Sequence, residues 1–406
     1  MFCVAYSNVY SNIKTVIFEE NSLCESIGDY AFYNCNELKS IEIAEGIVSI
    51  GKMAFTSCTG LKTITIPESV TDIGSVAFSE CSALAEVVYL AESCVAPEIG
   101  LNNDGVFENS GNDNVKLIIG VNVEKIDNVF DVYGLSQYEL GIISVHYLGT
   151  IEQWCQIDFD GHPLTKNLHI NGELVENIVI SSAATKISDY AFHECTSLKS
   201  VVIENGVQEI GNYAFYGCAN LESVDMADSV KTIGNCAFAQ CKKINNLTIP
   251  NGVKTIGTDA FQSCESLTSI VIPNSVTEIG DAAFFGCKFL ESVVVGDGIS
   301  ILENQLFGYC TNLNSIVIGS SVSEISSGVF EQCNNQINVF FNGINDEWNS
   351  IKIYNIDTDN IALTRAMIYC YSEQAPNLNS DGTAYDGNYW HYVDGAPTVW
   401  VYTPEE

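Results

Sequence analysis

Apolar positions recur along this chain at an interval that neither a helix nor a strand produces by itself. Counting from Ile27, Ile50 and Ile73, and again from Ile187, Ile210, Ile233, Ile256, Ile279, Leu302 and Ile325, the period is 23 residues. Five residues after each of these ten positions stands a Phe (Phe32, Phe55, Phe78, Phe192, Phe215, Phe238, Phe261, Phe284, Phe307, Phe330), and eight residues after each stands a Cys. Such fidelity at a fixed period marks stacked repeats. Each repeat has two halves. Strings such as LKSIEI (38–43), LKTITI (61–66), LTSIVI (267–272) and LNSIVI (313–318) alternate with period two and are rich in β-branched residues, which predicts short half-buried strands. Pro67, Pro250 and Pro273 close three of them, where a missing backbone donor ends a ladder. The other half, as in IGNYAFYGC (210–218), has apolar residues at offsets 0, 4, 5 and 8, which predicts a short helical or 3-10 segment. A single unit cannot cover both of its apolar faces, so units must stack, with a parallel sheet on one side, short helical segments on the other and strands roughly 4.8 Å apart.

The period lapses between Ile73 and Ile187. There VKLIIGVNVEKIDNVF (115–130), ISVHYLGTIEQWCQI (143–157) and LHINGELVENIVI (168–180) read as irregular repeats. Asn171-Gly172 between two apolar runs predicts a two-residue hairpin that projects from the array. VHYLGTIEQWCQI (145–157) has a counterpart in VFFNGINDEWNSI (339–351), with Gly, Trp and Ile in matching places, so one module is used twice, to cap or wedge the repeat core. The expected organisation is repeats over 1–93, irregular repeats with the hairpin over 94–174, repeats over 175–341, and over 342–406 a cap with an aromatic tail, GNYWHYVDGAPTVW (387–400).

Charge narrows the partners. The chain of 406 residues has 51 Asp and Glu against 16 Lys and Arg, a formal net charge of −35, which repels nucleic acid and anionic lipid. It contains no apolar run of about 18 residues, the length that spans a membrane. The N-terminus lacks a basic segment followed by an apolar one, and the strand-like IKTVIF (13–18) predicts that the chain starts inside an array.

Candidate chemistry is sparse. Of the 16 Cys, ten form the 23-residue ladder. Stacked equivalent side chains point the same way, which does not suit a disulfide dihedral, so buried thiols are expected there. Cys3, Cys24, Cys94, Cys155, Cys236 and Cys370 remain open. His146, Cys155, His162 and His169, with Asp158 and Asp160, are the one cluster of metal-ligand types, but their spacing matches no compact motif. Asn377, Asn379, Asp381 and Gly382 mimic the start of a calcium loop, yet position twelve is Asn388 rather than Glu, so a turn is expected. A nucleophile elbow, phosphate loop or dinucleotide fingerprint in proper context is not found. The sequence thus predicts no catalytic, cofactor-binding or metal-binding residue, and no cofactor.

The consensus L-x-x-I-x-I-P-x-x-V-x-x-I-G-x-x-A-F-x-x-C resembles the BspA-like, or Treponema pallidum type, leucine-rich repeats of bacterial surface proteins, over residues 13 to about 341. The resemblance implies an α/β repeat solenoid, a right-handed leucine-rich-repeat superhelix with a parallel β-sheet on the concave face and short helical or 3-10 segments on the convex face. It also implies a secreted or cell-surface location and adhesion to host, matrix or other cells. The GTIEQW module and the tail look like segments of secreted repeat proteins of gut Firmicutes.

On that reading the outward strand positions are the candidate partner-binding residues. They pair as Ser40/Glu42, Thr63/Thr65, Glu86/Val88, Ser200/Val202, Ser223/Asp225, Asn246/Thr248, Ser269/Val271, Ser292/Val294 and Ser315/Val317, because strand side chains alternate between faces. Val271, Val294 and Val317 are expected as a consecutive exposed apolar stripe. The expected function is non-enzymatic protein or glycan binding; the alternatives are a passive spacer or stalk, and a hydrolase with a site in 146–169.

Overall fold

The computed structural model describes residues 12–18, 23–95, 105–111, 114–126, 130, 142–159, 167–333, 336–355 and 359–403. The chain divides into two compact units, Met1–Ile178 with Ser188–Ser197, and Val179–Ile187 with Leu198–Glu406.

Both units are built from the same rung. In the first unit the strands Ser40–Glu42, Thr63–Ile66, Glu86–Tyr89, Val115–Ile119, Ile142–Tyr147 and Leu168–Ile170 pair in parallel, each with the next. The irregular middle segments therefore extend the sheet, with one register shift at Val115/Lys116. Asn171 (φ 50°) and Gly172 (φ 85°) turn the chain into an antiparallel strand, Glu173–Leu174, paired with Leu168–Ile170, the geometry that an Asn-Gly hairpin requires. In the second unit Ser200–Ile203, Ser223–Met226 and Asn246–Leu247 pair in parallel, as do Ser269–Ile272, Ser292–Val295, Ser315–Ile318, Asn338–Phe341 and Met367–Tyr371. The aromatic tail then adds Tyr389–Val393 in parallel and Ala396–Val399 antiparallel to it. A second ladder of two-residue strands, such as Glu209–Ile210, Thr232–Ile233 and Thr255–Ile256, runs beside the main one.

The segment after each short strand is a chain of 3-10-type turns. In IGNYAFYGC the amides of Ala214, Tyr216 and Cys218 donate to the carbonyls three residues back, at 3.4, 3.1 and 3.2 Å. The alternate amides, of Tyr213, Phe215 and Gly217, donate instead to the next repeat, each at 2.8 Å. Two left-handed residues make this possible. They recur at offsets 3 and 7 in all ten repeats, from Tyr30 (φ 58°) and Asn34 (φ 65°) to Gly328 (φ 71°) and Gln332 (φ 56°). Most are not Gly, so each costs about 1 kcal/mol, offset by the bond that its amide makes between repeats. The Gly at offset 1 has a steric reason: a Cβ on Gly280 would lie 2.3 Å from the amide nitrogen of Thr258, and one on Gly257 would lie 2.6 Å from that of Asn235.

The core is a stack of Phe rings. Phe32, Phe55, Phe78, Phe107 and Phe130 stack in the first unit at centroid separations of 5.1, 5.1, 5.2 and 5.7 Å. Phe215, Phe238, Phe261 and Phe284 do so in the second at 5.0, 5.4 and 5.2 Å. Beside them the thiols of Cys58, Cys81, Cys241, Cys264, Cys287, Cys310 and Cys333 each donate to the Phe carbonyl of the preceding repeat, at 3.0 to 3.3 Å. No disulfide joins any two described residues. Burial pushes the Cys81, Cys287 and Cys333 thiols up to about 12. Thiolate is the reactive form, so at pH 8 the native ladder is expected to resist a thiol-labelling reagent that denatured protein consumes without reductant. Blocked thiols in the denatured chain would show bridges instead.

The repeated module is seen twice, and the two copies share one of the bonds that start the helix. In the first, Thr150 precedes helix α1 (Ile151–Trp154), and Thr150 and Gln153 bond reciprocally, the backbone of each to the side chain of the other. In the second, Glu347 of helix α2 (Asn345–Ser350) accepts from the Ile344 amide at 2.9 Å. Gly149 and Gly343 leave room for these bends: a Cβ would lie 2.7 Å from the Tyr147 ring and 2.6 Å from that of Phe341. The Trp rings lie 5.3 Å (Tyr147 to Trp154) and 5.5 Å (Phe341 to Trp348) from the preceding aromatic ring. Only the first Trp is buried. The Trp154 indole donates to the Ala191 carbonyl at 2.7 Å, the acceptor that in an ordinary pair of repeats takes the preceding Phe amide, as Ala237 does from Phe215. The last regular repeat is closed by Asn360, wholly buried, which accepts from the Phe330 amide and donates to the Ser326 and Tyr354 carbonyls.

One sequence expectation is corrected. IKTVIF (13–18) forms no strand, and Ile17 is 86% exposed; without a described neighbour to pair with, its β-branched residues do not suffice.

Candidate binding face

The outward side chains of the main sheet form rows in register. In the second unit Ser200, Ser223 and Asn246 stand abreast, as do Val202 and Asp225. Thr248 lies just past its two-residue strand and is exposed. Further along, Ser269, Ser292, Ser315 and Asn338 make one row, and Val271, Val294, Val317, Phe340 and Tyr369 the row beside it. The result is a stripe of hydroxyls and amides alongside an apolar stripe.

The apolar stripe differs from expectation at one end. Val271 is 57% exposed and Val294 half-buried, but Val317 is buried. The cause is the tail: Trp390 is wholly buried against Val317 and Phe340, with Val294, Tyr369, Tyr371 and Val399 around it. Its indole donates to the Phe341 carbonyl at 2.9 Å. Exposed Tyr392 stands against it, 4.8 Å between centroids. Burial, with the Asp297 carboxylate and Tyr371 adding to it, raises the Tyr392 phenol above its ordinary range. Phe340, Tyr369, Tyr371 and Tyr392 thus belong to this face although the repeat pattern did not mark them. Alternation carried through INVFF (337–341) into the module would have found Phe340.

In the first unit the rows are Ser40, Thr63, Glu86, Lys116 and Ser144, and Glu42, Thr65, Val88, Ile118, His146 and His169. Lys116 and Glu86 form an exposed ion pair at 3.7 Å, worth little by itself. The His146 and His169 rings stack 4.4 Å apart, 9° from parallel. Burial, then the neighbouring His169 and Lys116, lower the His146 pKa, with Glu86 opposing. Cys155 is buried behind the sheet, and burial raises its thiol. Asp160 and His162 lie outside the described residues. Among the described residues no three His, Cys, Asp or Glu come together as a metal site. In the loop 377–388 the Asp381 carboxylate accepts from the Thr383 hydroxyl and amide, which lower its pKa, and Asn379 accepts from the same amide. That is a turn closed on itself. A cavity of about 530 Å³ between the turn 121–124 and α1 is bordered by Glu68, Glu92 and Glu124, with Glu68 held by Asn122 at 2.8 Å. No described helix is long and apolar enough to cross a membrane.

Parallel strands stacked at a fixed period, with turn chains behind them and an open sheet face, define a right-handed leucine-rich-repeat solenoid. Its repeats match the BspA type leucine rich repeat region, in six copies over residues 4–130, 166–290 and 254–365. The chain belongs to that family, whose members are structural and binding scaffolds rather than enzymes. Among solved structures it is similar to a leucine-rich repeat protein of T. pallidum, with 30% identity over 42% of this chain and 75% of that one and a TM-score of 0.35. It is also similar to a leucine-rich repeat protein of Bacteroides ovatus (22% identity, 78% and 89% coverage, TM-score 0.42). A third is a leucine rich cell surface protein of Faecalibacterium prausnitzii (22% identity, 83% and 89% coverage, TM-score 0.39). No curated protein matched the chain.

Proposed function

We propose that this protein is a secreted or cell-surface binding protein whose partner, a protein or a glycan, lies along the outward face of the main sheet. The observation that carries the reading is the pair of rows Ser269–Ser292–Ser315–Asn338 and Val271–Val294, hydrogen-bonding groups next to apolar ones, with Val271 open and Val294 at the edge of the Trp390 cluster. Extended sheet faces are where repeat solenoids engage their partners. The location follows the family resemblance to bacterial surface proteins. With a charge of −35, the partner is neutral or basic. Val271→Asp with Val294→Asp is expected to reduce capture of a host-cell or matrix partner at least tenfold, about 1.4 kcal/mol, while the circular dichroism spectrum is unchanged. A folded double variant that retains every species held by the unaltered protein would rule out this face.

A further inference from the structure

The aromatic end of the sheet face in the second unit pairs open rings with a charge that the fold does not need. Tyr392 is 47% exposed, Tyr369 and Tyr371 are half-buried, and Val294 and exposed Val271 continue the stripe. The Tyr371 and Tyr392 rings stand 6.2 Å apart at 49°. His391, between Trp390 and Tyr392, points to the opposite side of its strand, and Trp400 packs on it with centroids 3.9 Å apart. The Trp400 indole donates to the Ser372 carbonyl at 2.9 Å, and the Tyr402 hydroxyl to the Gly382 carbonyl at 3.0 Å. The described chain after Val399 thus runs behind the hairpin and leaves the Tyr392 side open.

Asp297 follows the strand Ser292–Val295 by two residues. Its carboxylate adds, after burial, to the rise of the Tyr392 phenol, which places it near that ring. Its Oδ1 accepts from the Ser320 amide at 2.7 Å and the Ser320 hydroxyl at 3.1 Å. One repeat earlier Asn274 accepts from the Asp297 amide in the same way, at 2.8 Å. The ladder therefore requires a carbonyl oxygen there, not a charge. Among the described residues Asp297 forms no ion pair. Between Lys288 and Lys352 the sequence has no Lys or Arg, and those two pair elsewhere, Lys288 with Glu265 at 3.1 Å and Lys352 with Glu324 at 3.9 Å. Beyond Lys254 the chain has 19 Asp and Glu against three Lys and Arg. A cation is drawn to such a place twice, by the carboxylate and by the negative face of a ring. The same rings and apolar side chains cover the stem of a Lys or Arg.

We infer that this end of the face seats a basic segment of a partner protein. A Lys or Arg side chain lies along Tyr392 with its cationic head at Asp297, and the apolar residues beside it rest on Val294 and Val271. The inference rests on the sheet face being the binding face, and gives its partner a chemistry. A neutral glycan matches the rings but covers the Asp297 charge without a counter-charge, which costs binding.

Fluorescence anisotropy with a short labelled peptide that alternates Arg with Val tests this. In about 0.05 M NaCl the peptide is expected to bind roughly tenfold tighter than its counterpart with citrulline in place of Arg, and to weaken at about 0.5 M. Asp297→Asn is expected to weaken it about tenfold and Tyr392→Leu about fivefold. Asn at 297 keeps the ladder bond and Leu at 392 keeps Trp390 covered, so both variants retain the circular dichroism spectrum. Glu68→Gln, an equal loss of charge in the first unit, is expected to leave binding unchanged. An equal loss from Glu68→Gln and Asp297→Asn reduces the effect to net charge and overturns the inference. Equal binding of the citrulline peptide overturns it, and so does binding of cellohexaose, a neutral oligosaccharide, where the Arg peptide does not bind. Capture of a host-cell or matrix partner separates this seat from the wider reading. Asp at 271 and 294 puts carboxylates beneath apolar side chains, where desolvation outweighs attraction, so that double variant still reports on the face. If it loses the partner while Asp297→Asn with Tyr392→Leu keeps it, the face binds and this seat is refuted. If neither pair of changes lowers capture, the face itself is refuted.

Discussion

Raising the pH is expected to unfold the repeats in a steep step that begins just above pH 9. The free thiol of an unfolded chain titrates near 8.5 to 9. In the folded chain burial pushes Cys81, Cys287 and Cys333 to about 12, and raises Cys241, Cys264 and Cys310 well above their ordinary range. Below pH 8.5 both states hold their protons, and the ladder's contribution is fully present. Between about 9 and 12 the unfolded chain releases protons that the folded one keeps, so stability falls as pH rises, by about 1.4 kcal/mol per unit for each thiol. The three thiols at about 12 alone remove on the order of 4 kcal/mol in one pH unit, against a typical total of roughly 5 to 15. Circular dichroism followed from about pH 7 to 12 is therefore expected to show a midpoint near 10. The triple variant Cys81→Ala, Cys287→Ala, Cys333→Ala is expected to lose stability at neutral pH through its cavities and to show a shallower alkaline slope, by about 4 kcal/mol per unit. An unchanged slope would mean that the ladder does not govern alkaline unfolding.

The Phe stack is expected to give the largest single-residue effect. Phe238 is wholly buried between Phe215 at 5.0 Å and Phe261 at 5.4 Å. Replacing it with Ala removes a ring from both contacts and leaves a cavity that the backbone bonds on either side keep from collapsing. The expected cost is about 3 to 5 kcal/mol. In a linear array each repeat is supported only by its neighbours, so an interior break also uncouples what lies on each side, and urea unfolding of Phe238→Ala is expected to split into two transitions. Phe32, half-buried at the end of its stack, is expected to cost about half as much on the same change. Equal costs at the two positions would contradict the stack as the main source of cohesion.

Much of this architecture was legible in the residues. The strand rows, the Phe and Cys ladders, the Asn-Gly hairpin and the paired modules all follow from spacing, because stacking converts a sequence period into a spatial one. The left-handed positions did not follow. Most are occupied by Tyr, Met, Val, Cys, Asp, Gln and others, and only Asn34, Gly217, Gly286 and Gly328 carry a Gly or Asn signal; apolar offsets of 0, 4, 5 and 8 suit a helix and a chain of 3-10-type turns alike. The burial of Val317 depends on Trp390, far along the chain, a contact that no local pattern encodes. His146 and His169 share an outward row one 23-residue period apart, so the repeat spacing, carried through the irregular region, places them side by side. In the binding face, therefore, the regular rows were readable, and the ends, where covering elements decide exposure, were not.

The alternation of amides in the turn chains, one bond inward and the next across to the neighbouring repeat, also fixes how the molecule bears a load. In the turn chains and the two ladders the described backbone bonds between repeats lie along the stacking direction and join each repeat to its immediate neighbour. A pull in that direction cannot be shared by the whole array. It is met at one junction at a time, and each repeat that gives way lengthens the chain by roughly 75 Å. For a protein held between a surface and a partner, such a sequence of small failures spreads a sudden force over distance and leaves the remaining repeats folded.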